Sequence, residues 1–199
     1  MNVWLPEFIK YKVIKTHGAD NTLTGISSTI NKHLESDTEI FVAEMSAYKM
    51  GEIAALCRYI RPKIGVLTGI NSQFKNLFKT QENINKTNYE LVQSLPKKGK
   101  CIFNGNNKYT AGLYKKSKSI KVLYATELSK HFVPNPDIKA FHITHKPKRI
   151  IFNVQLRETS LMNLSINAAL NVEYIMPAIY IAYSLGMSEA EIKKAVSLL

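Results

Sequence analysis

The run EIFVAEM, residues 39 to 45, is almost continuously apolar and closes on a carboxylate, Glu44. An acid at the tip of a buried strand is either an oxygen donor of the kind a hard cation takes or a solvated residue on the rim. A second apolar run, KIGVLTGI at 63 to 70, opens into NSQFKNLFKT and then into the helical stretch TQENINKTNYELVQSL at 80 to 95. An α/β protein places its chemistry at the carboxyl ends of its strands. The residues on offer there are Asn, Ser, Gln and Lys, with Phe74 and Asn88 at two points where a metal ligand or a base would be sought. A phenyl ring has no donor atom, and an amide is no base. His142 and His145 lie three residues apart in a strand-like stretch, which turns them to opposite faces. With no Cys or carboxylate beside them at a ligand spacing, they read as hairpin or surface histidines. Nowhere does glycine-rich backbone run into Lys and then Ser or Thr, the order that cradles phosphates.

The elements that must position these residues follow from period and punctuation. Residues 4 to 10 read as the end of a helix, and YKVIKT at 11 to 16 alternates as a strand does. HGADNTLTG is loop, ISSTINKHL puts Ile26, Ile30 and Leu34 on one helical face, and GEIAALCRYIRP is a helix stopped by Pro62. Thr80 is placed to cap the helix that ends before Pro96. KCIFNGNN and SIKVLYAT are further apolar strands. Residues 137 to 167 hold three alternating strands, with HKPKR as the hairpin loop between the first two. Two helices close the chain: VEYIMPAIYIAYSLG, stopped by Gly186, and SEAEIKKAVSLL, opened by a Ser188 and Glu191 capping box. The expected fold is α/β: one unit over residues 1–199, with a parallel part over about 10–126, a small antiparallel sheet near 137–167 and C-terminal helices over about 172–199.

A chain of 199 residues with 45% hydrophobic content supports a folded core. Its 27 basic and 15 acidic residues give a net charge of +12, which invites a nucleic-acid reading. The lysines lie in separate clusters, PKKGK, YKKSKSIK and HKPKR, two of them in turns, without aromatic and basic interleaving or a helix-turn-helix pattern. The charge therefore argues for solvated faces and a preference for anions such as nucleotides, and against nucleic acid. Cys57 and Cys101 stand far apart as reduced thiols would, no run approaches a bilayer span, and the start lacks a secretory pattern, so a cytoplasmic location is expected.

Four blocks carry a resemblance: NTLTGISSTI, FVAEMSAYKMGEIAALCRYIRPKIGVLTGIN, FKTQENINKTNYELVQSLPKKGKCIFNGNN and LNVEYIMPAIYIAYSLGMS. In this order, over about residues 10 to 199, they resemble the central, ATP-binding domain of the Mur ligases, most of all the branch that adds D-alanyl-D-alanine to the muramyl tripeptide. EMSAYKMGEIAAL is the specific block; the others support it.

The resemblance implies ATP and Mg2+ as cofactors and ATP-dependent amide-bond formation through an acyl phosphate. It sets Glu44 at the family's magnesium-binding glutamate. It aligns Phe74 with a histidine that helps to bind a second magnesium, and Asn88 with a lysine whose carbamate supplies oxygen ligands to that cation. Lys86 is no ready substitute, since two residues along a helix is about 200° around its axis. Asn21 and Thr22 match the loop after the family's second strand, Asn104 is kept, and Asn106 replaces the usual Asp. Asn171 belongs to the block that approaches the adenine, but Leu170 stands for its His and Tyr174 for its second Asn. The family's phosphate loop and first strand would precede LPEFIKYKVIKT, so this sequence is expected to lack both, along with the domains that hold the UDP-sugar and the amino substrate.

Three functions follow as expectations: a degenerate ligase-like domain inactive as a single chain; a piece of a split ligase completed by another polypeptide; and a basic nucleic-acid-binding module. If the absent strand is central, its neighbours expose apolar edges, and a protein partner or a second copy of the chain is expected to cover them.

Overall fold

The computed structural model describes residues 10–129, 135–157 and 159–199. The helix end expected over residues 4 to 10 falls outside them, apart from Lys10. Short strands β1 (Val13–Lys15) and β2 (Ile40–Val42) pair in parallel as a sheet of their own, Val13 opposite Ile40 and Lys15 opposite Val42. The second sheet takes six strands in chain order: β3 (Ile64–Leu67), β4 (Lys100–Asn104), β5 (Ile120–Thr126), β6 (Ile138–His145), β7 (Arg149–Leu156) and β8 (Thr159–Asn167). From β3 to β6 the strands run parallel; from β6 to β8 they run antiparallel. The antiparallel strands expected near 137–167 are thus the continuation of the parallel sheet through the β5–β6 pair, not a separate patch.

Burial explains the difference between the two halves. Cys101, Ile102, Phe103 and Asn104 of β4 are all fully buried, as is expected of a strand with helices on both faces. Alternation divides them between two cores. Ile102, with Val122 and Tyr124 of β5, faces the helix α6 (Val172–Ser184), which is apolar on nearly every side and buries Ile175, Met176 and Ile179. Cys101 and Phe103 face the opposite way, onto Ile84 and Val92 of α4 (Gln81–Ser94) and Leu113 of α5 (Lys108–Lys116). A third core joins Ile26 of α1 (Leu23–His33) to Ile53, Leu56 and Cys57 of α2 (Glu52–Ile60), with Phe41 and Ala43 of the β2 segment packed against it. One turn of helix, α3 (Lys75–Phe78), follows β3, and α7 (Glu189–Ser197) closes the chain with both halves of the Ser188–Glu191 capping box formed.

Local chemistry sets the ends. Thr22 caps α1 three residues earlier than the apolar stripe alone suggests, Thr80 caps α4, and Asn107 caps α5 by accepting from the amides of Tyr109 and Thr110. Beyond α6, Gly186 adopts φ 80°, the left-handed turn that ends a helix. In β6 a bulge between Phe141 and Thr144 interrupts the alternation, with His142 at φ 51°. His142 lies against the Asn153 amide, whereas His145 reaches a different place, the cleft described below.

Candidate functional site

The carboxyl ends of β3, β4 and β5 meet the first turn of α6 in a closed network of amides around one carboxylate. Asn104, fully buried at the end of β4, donates from its Nδ2 to the Thr68 carbonyl at 2.6 Å and to the Glu173 carboxylate. Its Oδ1 accepts from the Asn106 amide at 2.8 Å. The Asn106 side chain repeats the pattern: Nδ2 donates to Thr126 Oγ1 at 2.8 Å and Glu173 Oε2 at 3.1 Å, while Oδ1 accepts from the Thr126 amide at 2.9 Å. Backbone partners therefore fix both amides so that each turns its NH2 toward Glu173. Asn107 ties the same loop to the segment after β3, donating to the Ile70 carbonyl at 2.9 Å.

The loop has little room to vary. A Cβ at Gly105 would lie 2.9 Å from the Tyr124 carbonyl, to which the Gly105 amide also donates, so glycine is required by close approach. Asn171 caps α6, its Oδ1 accepting from the Glu173 amide at 2.9 Å, and so sets the turn that aims Glu173 at the two asparagines. Glu173 also places negative charge in the first turn of a helix, where the macrodipole favours it. Beneath it, burial pushes the Tyr124 phenol well above its usual range, and the Glu173 carboxylate adds to the effect. The Tyr124 hydroxyl is buried without a hydrogen-bond partner among the described residues.

A cleft of about 520 Å³ opens beside this network. Its lining mixes polar residues, Asn106, Thr126, His145, Asn171 and Glu173, with apolar ones, Ile143, Ile150, Leu170 and Val172. A concave site of this mixture suits a flat, partly polar group.

The other residues singled out in the sequence lie elsewhere. Glu44 follows β2 and donates its amide to Thr16 Oγ1 at 2.9 Å, while the neighbouring loop is tied to the segment before α1 by the Ser46 amide on the Asn21 carbonyl. Thr22 uses its hydroxyl as the α1 cap, accepting from Gly25. Phe74, 37% exposed at the start of α3, stacks edge-on against Tyr48 with ring centroids 6.1 Å apart. Asn88 turns its Nδ2 back onto the Ile84 carbonyl of its own helix at 2.8 Å, and Lys86 is paired with Glu82 at 2.9 Å. Tyr174 stands in the first turn of α6 beside Glu173. The structure thus brings Asn104, Asn106 and Asn171 together and leaves Asn21, Thr22, Glu44 and Phe74 at other loops and helix starts and Asn88 within α4. Glu173, the residue that joins the network, escapes a sequence reading because an acid in a first helical turn is ordinary.

Fit to the implied cofactors is uneven. The volume and mixed lining of the cleft suit a nucleobase-sized group. For the second cation, Phe74 offers no donor and the Asn88 amide is committed to its own helix, so the residues at those positions do not fit the metal, and no step is routed through it. No group of three or more His, Cys, Asp or Glu placed to hold a metal ion occurs among the described residues.

Over 76 residues the chain is 34% identical to the UDP-N-acetylmuramoyl-tripeptide–D-alanyl-D-alanine ligase of Mycobacterium leprae, a match covering 38% of this chain and 15% of that protein. The corresponding ligase of Mycobacterium tuberculosis is 32% identical over 78 residues, again 15% of its length. MurF from Acinetobacter baumannii superposes with a TM-score of 0.79 at 19% identity, over 94% of this chain and 40% of that one. MurF from Thermotoga maritima, solved in complex with ADP, gives 0.77 at 18% identity over 96% and 44%. The chain therefore spans about two fifths of the solved MurF chains it superposes on. The profile of the Mur ligase middle domain matches residues 2–182, and the chain belongs to that family.

Proposed function

We propose that this chain is a peptidoglycan-precursor-ligase middle domain that retains a nucleotide-base cleft and, by itself, does not transfer a phosphoryl group. Phosphoryl transfer needs a phosphate cradle and cations to neutralise the developing charge. The observation that carries the reading is the Phe74–Tyr48 pair: an exposed aromatic contact occupies the loops after β2 and β3, where oxygen and nitrogen ligands would be required. The base would sit in the cleft beside Asn106, Thr126 and Asn171, an expectation that comes from the resemblance and from the ADP complex of the Thermotoga maritima protein. Magnesium, when bound, would supply charge neutralisation to the phosphates, and Glu44 is the carboxylate among the described residues that the resemblance implies would hold it.

Phosphate release from ATP tests the proposal. The purified chain, given ATP, magnesium, D-alanyl-D-alanine and the muramyl tripeptide substrate, is expected to release phosphate at the rate of a protein-free control. Turnover above that control overturns it.

A second reading, a piece of an active ligase completed by another polypeptide, is favoured by the division of the strands into two sheets. It predicts that phosphate release returns when the completing polypeptide is added.

A further inference from the structure

Basic clusters that stand apart in the sequence come together at one end of the fold. Strands β3, β4 and β5 are parallel and in register, so Ile64, Lys100 and Ile120 form one row across their amino ends. The turns that lead into this row carry the charge. Arg58 lies in the last turn of α2, and Arg61 closes that helix at φ 54° with its amide on the Cys57 carbonyl, two residues before Lys63. Lys97 and Lys98 sit in the turn before β4, which the Gly99 amide closes onto the Pro96 carbonyl, and Lys118 lies in the connection from α5 to β5. The cleft beside Asn106 and Thr126 belongs to the opposite, carboxyl ends of the same strands.

Charge at this end is left uncompensated. No Asp or Glu occurs between Glu52 and Glu82 or between Glu90 and Glu127. Arg58, Arg61, Lys63, Lys97, Lys98 and Lys118 are exposed, and among the described residues none of them forms an ion pair. Acids on either side are already engaged: Glu35 and Asp37 hold Lys12 just before β1, and Asp137, just before β6, accepts from the Leu123 amide and pairs with Arg157. Lys100 and Lys121 serve the fold instead, the first donating to the Tyr180 hydroxyl at 3.0 Å and the second to the Tyr114 and Ser117 carbonyls. Apolar side chains stand exposed among the free cations. Tyr59 and Ile120 are each 49% exposed and Ile64 39%, and the two isoleucines flank Lys100, about 10 Å apart at two strand spacings.

We infer that the amino end of β3, β4 and β5 is a docking face for an anionic lipid bilayer, which it touches without crossing. Phosphates of a nucleic acid ask only for cations and hydrogen-bond donors, and exposed isoleucines between the lysines add nothing to that contact. At a bilayer they have a place: aliphatic and aromatic side chains enter the boundary between headgroups and acyl chains, while the ammonium and guanidinium groups on their flexible stems remain among the lipid phosphates. The face lies away from the cleft, so the inference is independent of nucleotide binding.

Vesicle flotation tests it. The chain is expected to float with vesicles of equal parts phosphatidylcholine and phosphatidylglycerol but not with phosphatidylcholine alone, and to be released as salt rises from about 0.1 to about 0.5 M. Lys97→Glu combined with Lys98→Glu should weaken binding at least about tenfold. The same change of charge in the β6–β7 hairpin at the other end, Lys146→Glu with Lys148→Glu, should alter it less than about twofold. Ile64→Thr with Ile120→Thr keeps every charge; it should weaken vesicle binding severalfold and leave binding to a single-stranded oligonucleotide unchanged. Circular dichroism melting checks that each variant is folded. Equal binding to the two kinds of vesicle, no binding to either, or an equal loss from the two charge-reversed pairs overturns the inference. Full vesicle binding by the isoleucine variant overturns it as well, and tight oligonucleotide binding by that variant would assign the face to nucleic acid.

Discussion

Replacing Glu173 with Gln should destabilise the protein nearly as much as replacing it with Ala. The change conserves shape and removes only a charge, so intuition rates it as mild. The Asn104 amide is oriented by the Thr68 carbonyl and the Asn106 amide, and that of Asn106 by the Thr126 amide. Both side chains therefore present N–H groups to position 173 and neither can flip without losing a backbone partner. Gln offers one oxygen and one NH2, so one of the two contacts becomes donor against donor. Hydrogen bonds to a charged group contribute about 1.5–3 kcal/mol each, discounted because Glu173 is only half-buried. A first-turn acid adds about 0.3–1 kcal/mol. A loss of about 2 kcal/mol for Glu173→Gln follows. With a urea dependence of about 2 kcal/mol/M the midpoint should fall by roughly 1 M. Equilibrium unfolding followed by circular dichroism reads this directly. A Gln variant within about 0.5 kcal/mol of the parent, with Ala clearly worse, would refute the reasoning.

Burial pushes the Cys101 thiol up to about 12 and that of Cys57 upward as well, so both should resist a thiol reagent at pH 8 in the native protein and react on unfolding. Because the folded pKa of Cys101 lies above its unfolded value near 9, the folded state keeps a proton that the unfolded state releases, and stability should decline as pH rises from about 9 to 12. Glu127 has the opposite sign: the Ile143 amide donates to it and holds its carboxyl below the usual range. Its contribution is present above the unfolded pKa and lost as pH falls through the folded one, and Glu127→Gln should flatten that part of an acid-unfolding curve. Ser188→Ala removes one half of the capping box of α7 and should cost about 1 kcal/mol in the same urea assay.

Much of the fold was legible because local chemistry carries it. The β3, β4 and β5 runs are apolar at nearly every position, Thr80 and Ser188 cap their helices, and HKPKR turns the β6–β7 hairpin. The α5 helix was not, since KYTAGLYKK mixes Lys, Tyr and Gly without a clear stripe and its start depends on one Asn107 side chain. The β6 bulge and the division between β2 and β3 are matters of register, which distant partners decide. The site divides in the same way. Asn104, Asn106 and Asn171 could be picked out by resemblance, but Glu173 gains its role only when the turn after β4 folds against α6, some 67 residues away in the chain.

Calorimetric titration with ATP, in the presence and absence of magnesium, tests the central claim most directly: a ligase scaffold with a base cleft but without phosphate and metal handling. The account predicts that any heat of binding is the same with and without magnesium, and the same for ADP as for ATP. Micromolar affinity that appears only when magnesium is present would contradict it and show that Glu44 and its neighbours still hold a metal–phosphate complex.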